Sequence, residues 1–274
     1  MLKQRIITAA ILIPIFIVLL FKLPLHGFSL LTGLLVFWAA TEWSLLMGMK
    51  TFWCRLIFPV ITVAALVAVF YYPPLFYILH VAIAWWICAF LLVVLYPKAS
   101  ALWGKSMLLR GLMGLLTLVP CWLALNYIRY AENGSFILLF LFIIIWGADI
   151  GAYFAGRAFG KHKLAPLVSP GKSWEGLLGA LIATVILTLP VMFWYHMPYI
   201  SLQAALLLTI TTVLFSVVGD LVESMLKRNV GLKDSGTLLP GHGGILDRID
   251  SLTAAAPIFA LGLIYMDKLY YSVN

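Results

Sequence analysis

The chain has 274 residues, 64% of them hydrophobic and only 10% charged, and its mean hydropathy is +1.08. Soluble globular domains stay nearer half apolar, so that class is excluded. The formal charge of +8 is not gathered in any soluble segment, so it points to anionic lipid headgroups and away from nucleic acid.

Apolar runs of about 20 residues, the length that crosses a bilayer as a helix, recur along nearly the whole chain. The short alternating segments of an outer-membrane barrel are absent. The expected fold is therefore an all-α polytopic integral membrane protein. Met1-Leu2-Lys3-Gln4-Arg5 and the apolar run to Phe21 lack a small-residue cleavage site and read as a retained first helix. Breaks at polar or Pro/Gly clusters then give about nine spans, 6–22, 27–48, 56–71, 75–96, 108–128, 135–156, 176–195, 200–222 and 252–271. With this segmentation only Lys22, Arg129 and Lys268 of the 18 basic residues fall on one side of the membrane. The positive-inside rule puts the N-terminus in the cytoplasm and the C-terminus outside (periplasmic), in a bacterial-type inner membrane. The long loops 157–175 and 223–251 then face the cytoplasm.

The first five spans carry little chemistry. Glu42 is the exception, because an acid at a helix centre costs about 2.5–3.5 kcal/mol on insertion scales. It lies near the cytoplasmic end of its span, and structural pairing with Lys50 or the interface is the expectation. Cys54, Cys88 and Cys121 are scattered without metal or redox spacing and read as small buried side chains. Pro14, Pro59, Pro120, Pro190 and Pro257 fall inside spans, where kinks are tolerated.

The sixth span carries Gly147, Gly151 and Ala155 at four-residue spacing, a face that admits close approach of another helix. Asp149 lies in the same span, either salt-bridged toward Arg157 or part of a site. The next loop runs Ser169-Pro170-Gly171-Lys172-Ser173-Trp174-Glu175-Gly176. It is not a P-loop, since the earlier Gly is replaced by Pro166 and no strand precedes it. Lys172 and Ser173 nevertheless offer an ammonium and a hydroxyl to an anion just before a helix. Ser173 with Glu175 equally suits an ordinary helix cap.

Five of the ten acids fall in 219–251. Asp220, Glu223, Ser224 and Lys227 stand at i, i+3, i+4 and i+7, one face of a helix, and Asp247, Asp250 and Ser251 repeat that spacing as the next apolar run begins. Crowded carboxylates at a membrane boundary need counter-charge, from Lys and Arg or more fully from a hard divalent cation. Gly241-His242-Gly243-Gly244 before a helix would bring N–H groups to an anion. Acids for a cation with amides, Lys and Arg for phosphates suit metal-assisted phosphoryl or nucleotidyl transfer. A charged loop pinned by salt bridges is the plainer alternative.

Ser224-x-x-Lys227-Arg228, four residues, Lys233-Asp234, then Pro240-x-His242-Gly243-Gly244-Ile245-x-Asp247-Arg248-Ile249-Asp250 resembles the motif of phosphatidate cytidylyltransferases (CDP-diacylglycerol synthases). The resemblance implies cytidylyl transfer from CTP to phosphatidic acid, with CDP-diacylglycerol and pyrophosphate as products. It implies Mg²⁺, with a second cation such as K⁺, bridged by Asp220 and Asp247; Glu223 and Asp250 stand beside them as outer or alternate ligands. Lys227, Arg228, Lys233 and Arg248 would grip phosphates, with Ser224 and Asp234 beside them. Gly243 and Gly244, with His242 nearby, would hold the triphosphate, although His242 equally suits a turn-shaping role. The family's Ser-Pro-Gly-Lys segment gives Lys172 and Ser173 a nucleotide-facing role, and a homodimer is implied as well. The expected organisation is a scaffold, 1–134, with possible dimer contacts, and a catalytic region, 135–274. A CTP-dependent polyprenol-type lipid kinase and a cation-coupled transporter are the rival readings.

Overall fold

The computed structural model describes residues 13–72, 74–194, 201–236 and 243–273 and consists almost entirely of long helices. In chain order these are α1 (Ile13–Lys22), α2 (Leu25–Leu46), α3 (Phe52–Tyr71), α4 (Leu75–Val94), the short α5 (Ser100–Trp103), α6 (Met107–Tyr130), α7 (Gly134–Phe159), α8 (Trp174–Trp194), α9 (Leu202–Asn229) and α10 (Leu246–Val273). Among the described residues eight of them, all but α1 and α5, are long and apolar enough to cross a bilayer, so this is a multi-pass membrane protein. The first expected span, 6–22, begins outside the described residues, and its described part is α1.

Two departures from the expected segmentation matter for the site. Residues Lys163–Ala165 (β1) and Ser169–Ser173 (β2) pair as a small antiparallel hairpin, so the fold is not purely helical. Pro166 and Pro170 bar a helix there, and Pro is tolerated only in such edge strands. Helix α9 also continues two turns past the expected end at 222, because Met225, Leu226 and the stem of Lys227 remain buried. Lys227 and Arg228 lie in its last turn, where the helix dipole favours cations.

Lipid tails are as apolar as Leu, so helices here are held by close packing and interhelical hydrogen bonds. The Trp43 indole donates to the Arg110 carbonyl at 2.8 Å, Trp85 to Thr117 Oγ1 at 3.1 Å, and Trp122 to the Ser29 carbonyl at 3.1 Å. Each such bond contributes about 0.6 kcal/mol. The Arg110 guanidinium also donates to the Leu46 carbonyl at 2.8 Å, fixing the end of α2 to the start of α6. One apolar core joins Trp43, Phe58 and Trp86 to Met225 and Leu246; another joins Leu20 and Leu138 to Leu208 and Phe259. Both draw on residues before and after position 134. Of the cysteines only Cys121 is buried; Cys54 and Cys88 are exposed on the bundle's outside, contrary to the expectation for them. An apolar thiol on a lipid-facing helix surface carries no desolvation cost, so burial is not required of it.

The small-residue face of α7 packs against α8. A Cβ at Gly151 would stand 2.5 Å from the Gly179 carbonyl oxygen, and one at Gly179 would stand 2.7 Å from the Gly151 carbonyl oxygen. The two backbones therefore touch, which holds α8 and the hairpin before it against α7. At the same face of the bundle, Asn229 Nδ2 donates to the Gly104 carbonyl at 3.0 Å and Arg228 Nε to the Val168 carbonyl at 3.3 Å. The ends of α2, α6 and α9 and the hairpin thus gather on one side.

Candidate active site

Helix α9 presents its acids toward α7, α10 and the hairpin. Asp220 lies nine residues before the end of α9, about 13 Å along the axis at 1.5 Å per residue, so the site is sunk below the helix ends. Its Oδ2 pairs with Lys172 Nζ of β2 at 2.7 Å, and its Oδ1 accepts from Ser224 Oγ at 3.3 Å. Asp149 joins them: it lines, with Lys172, Ser173 and Asp220, a cavity of about 230 Å³ whose other walls include Leu164, Leu177, Ala180 and Val217. Arg157 does not reach Asp149; its guanidinium donates to the Tyr153 hydroxyl at 3.1 Å.

Two turns further along α9, Lys227 Nζ bridges Glu223 Oε2 at 2.9 Å and Asp247 Oδ1 at 2.7 Å, tying α9 to α10. Asp247 also accepts from the backbone N–H of Gly244 at 2.8 Å and of Ser235 at 3.0 Å. Gly243, with φ of +82°, turns the chain so that this closure is possible, and a Cβ there would stand 2.6 Å from Asp247 Oδ2. The Gly244 N–H, expected to face a triphosphate, donates to Asp247 as the site stands. Asp250 sits between the two ion-paired groups. Its charge acts on both Asp220 and Glu223, while Glu223 also lies within electrostatic reach of Asp247.

The result is a continuous run of five carboxylates, Asp149, Asp220, Asp250, Glu223 and Asp247, drawn from three helices. Lys172 and Lys227 sit against it, and Arg248 acts on Asp149. Five carboxylates thus face three cationic side chains. Glu223 is 3% exposed and its Oε1 has no hydrogen-bond partner, an expensive state for a buried carboxylate oxygen. Hard oxygen donors, the excess of acids and this orphaned atom all fit a hard cation such as Mg²⁺. Among the described residues no three Asp, Glu, His or Cys side chains converge on one point as they stand. Lys172 holds Asp220, and Lys227 holds Glu223 together with Asp247.

The remaining candidates make other contacts. Ser173 is buried and its Oγ accepts from the Gly176 N–H at 3.1 Å, so of its two expected roles the helix cap is the one its geometry displays. Glu175 pairs with His162 Nδ1 at 2.7 Å and accepts from the His162 N–H, closing the hairpin on α8. Arg228 donates to the Val168 and Leu232 carbonyls, while Lys233, Asp234 and Arg248 are exposed. His242 lies outside the described residues. Glu42 was expected to pair with Lys50 or the interface; instead it is buried against the loop before α10, accepting from Ser235 Oγ at 3.2 Å and from the N–H groups of Ile245 at 3.0 Å and Leu246 at 2.7 Å. Its position in an apolar span is the only sequence signal for this contact. The partners lie 193 or more residues away.

Residues 3–266 match the model of the Cytidylyltransferase family. The chain is 46% identical to the phosphatidate cytidylyltransferase of Pseudomonas aeruginosa, over 95% of this chain and 96% of that protein. It is 40% identical to the protein of that name from Haemophilus influenzae, over 95% and 98%. The Staphylococcus haemolyticus phosphatidate cytidylyltransferase is 33% identical over 64% and 77%.

Proposed function

The chain belongs to the cytidylyltransferase family, and on that premise we propose how its residues transfer a cytidylyl group from CTP to phosphatidate. A phosphate oxygen of the lipid attacks the α-phosphorus of CTP. The bond from that phosphorus to the bridging oxygen breaks, and CDP-diacylglycerol and pyrophosphate are formed. The nucleophile is already anionic, so the site needs no general base; orientation and charge neutralisation dominate.

The run of five carboxylates with Lys172 and Lys227 is the observation that carries this reading. Asp220, Asp247, Glu223 and Asp250 would hold Mg²⁺. When bound, the cation neutralises charge on the triphosphate and the leaving pyrophosphate. For these carboxylates to hold a cation together, Lys172 or Lys227 would have to release one of them. Lys172, in β2 and 24% exposed at its side chain, is the freer of the two and becomes available to a phosphate. Lys227, at 11%, stays as the tie between α9 and α10. Lys233 and Arg248, exposed above the acids, attract the triphosphate. The lipid phosphate enters by the cavity between α7, α8 and the hairpin, whose apolar walls suit the glycerol end of an acyl chain and whose floor holds Lys172 and Asp220. The site faces the cytoplasm, where CTP is found; the basic loops lie on this side.

Incubating the purified protein with phosphatidate and CTP labelled at either the α- or the γ-phosphate tests the reaction. The α-label should pass into the lipid and the γ-label into pyrophosphate. Lipid carrying the γ-label would instead make the protein a CTP-dependent lipid kinase.

A further inference from the structure

Glu42 lies on α2, in the half of the chain that contributes none of the five carboxylates, yet the loop leading into Asp247 is moulded on it. The residue before α10 is Ile245, which has no side-chain acceptor, so this helix lacks a local cap. Glu42 supplies one from α2: its Oε1 accepts from the Ile245 N–H and its Oε2 from the Leu246 N–H. Those N–H groups are unpaired donors at the positive end of a helix, so a carboxylate suits them better than a neutral acceptor. Gly236 and Gly244 are shaped to this carboxylate. A Cβ at 236 would stand 2.5 Å from Glu42 Oε1, and one at 244 would strike Glu42 Oε2.

Ser235, 1% exposed, joins Glu42 to the acids. Its hydroxyl donates to Glu42 Oε2 at 3.2 Å while its backbone N–H donates to Asp247 Oδ2 at 3.0 Å. Glu42, Ser235 and Asp247 are therefore consecutive links, and the start of α10 is fixed to α2 on one side and to Lys227 on the other. A cap needed only for helix stability is ordinarily a Ser, Thr, Asp or Asn next to the helix. Placing an acid in an apolar span instead costs about 2.5–3.5 kcal/mol on insertion scales. What the distant acid provides, and a local cap does not, is registration of α10 against the rest of the bundle.

We propose that Glu42 is a positioning residue for the cytidylyl transfer: through Ser235 and the first N–H groups of α10 it sets where Asp247 and Asp250 stand relative to Asp220 and Glu223. It lies beneath the loop and touches no substrate. This inference rests on the reaction given above, and it makes turnover depend on a residue outside the C-terminal acidic region.

Glu42→Gln keeps the side chain's length and volume but loses its charge and an acceptor. In detergent the variant should remain folded, with kcat down by about tenfold or more, since misplacement well below 1 Å is felt in the transition state. KM for CTP and for phosphatidate should stay within about twofold, because the groups that meet substrate are retained. Amide hydrogen exchange should quicken over 233–236 and 243–250 and stay unchanged in α7 and α8. A purely structural role gives a different result: lower thermal stability, with wild-type kcat per folded molecule and unchanged exchange in the loop, and that outcome overturns the proposal. If Glu42→Gln does not fold, Ser235→Ala decides, since it removes one link and leaves the backbone contacts; a fall in kcat at constant KM supports the proposal and wild-type kcat overturns it. Wild-type protein that forms no CDP-lipid would remove the reaction itself, and the exchange comparison would still report on Glu42.

Discussion

Lys172 and Asp220 stand 2.7 Å apart in an ion pair. On the proposed reading the ammonium neutralises Asp220 until a cation takes its place, and would then turn to a phosphate. Removing it should therefore move cation affinity and turnover in opposite directions. Lys172→Ala should bind Mn²⁺, a spin probe for Mg²⁺, more tightly than wild type in an electron paramagnetic resonance titration without nucleotide. Its kcat should nevertheless fall by about a hundredfold, the usual loss for a donor aimed at developing charge. Weaker Mn²⁺ binding, or unchanged kcat, would contradict the exchange of partners. At this scale the sequence was informative where spacing speaks: Asp220, Glu223, Asp247 and Asp250 recur at helical intervals, and those intervals put them on facing sides of α9 and α10. It was silent on pairing. Lys227 bridges two acids and the Gly244 N–H serves Asp247, because loop closure fixes those partners, and a linear pattern does not encode closure.

The contact between α7 and α8 was legible as the four-residue recurrence of Gly147, Gly151 and Ala155, since small residues at that spacing allow backbones to meet. It holds the hairpin, and with it Lys172, over Asp220. Gly151→Ala should force the two helices apart, because its Cβ would stand 2.5 Å from the Gly179 carbonyl oxygen. A stability loss of about 1–3 kcal/mol is expected, read as a lower denaturation midpoint in detergent, with turnover reduced as well. Leu in place of Ile150, which is exposed on the same helix, should leave both unchanged. An unshifted midpoint for Gly151→Ala would show that the seam is not tight. The hairpin itself was hidden, since three residues of β1 and a proline-bearing β2 have no room for period-two alternation. The extra turns of α9 were legible in the helical spacing of Asp220, Glu223, Ser224 and Lys227, although the apolar run that marks the span stops at 222; the Glu223–Lys227 pair at i, i+4 supports the continuation.

Across the whole molecule, apolar run length was enough to expect a multi-pass helical protein, and eight of the spans have long helices in the described residues. What run length cannot convey is that the two halves share their cores and that Glu42 reaches from α2 to the start of α10. The bundle brings those elements to one face, sinks the acids below the helix ends, and leaves the hairpin and the basic loop above them. A water-soluble triphosphate and a lipid headgroup can meet at such a boundary. The account therefore stands on Asp220 of α9 and Asp247 of α10 serving one reaction. The most direct test is the transfer of α-label from CTP to phosphatidate by folded Asp220→Asn and Asp247→Asn variants, each checked for wild-type size and helix content in detergent. Each should lose at least about a hundredfold in kcat, as expected when a residue that would hold the charge-neutralising cation is lost. Near-wild-type transfer by either variant would contradict it.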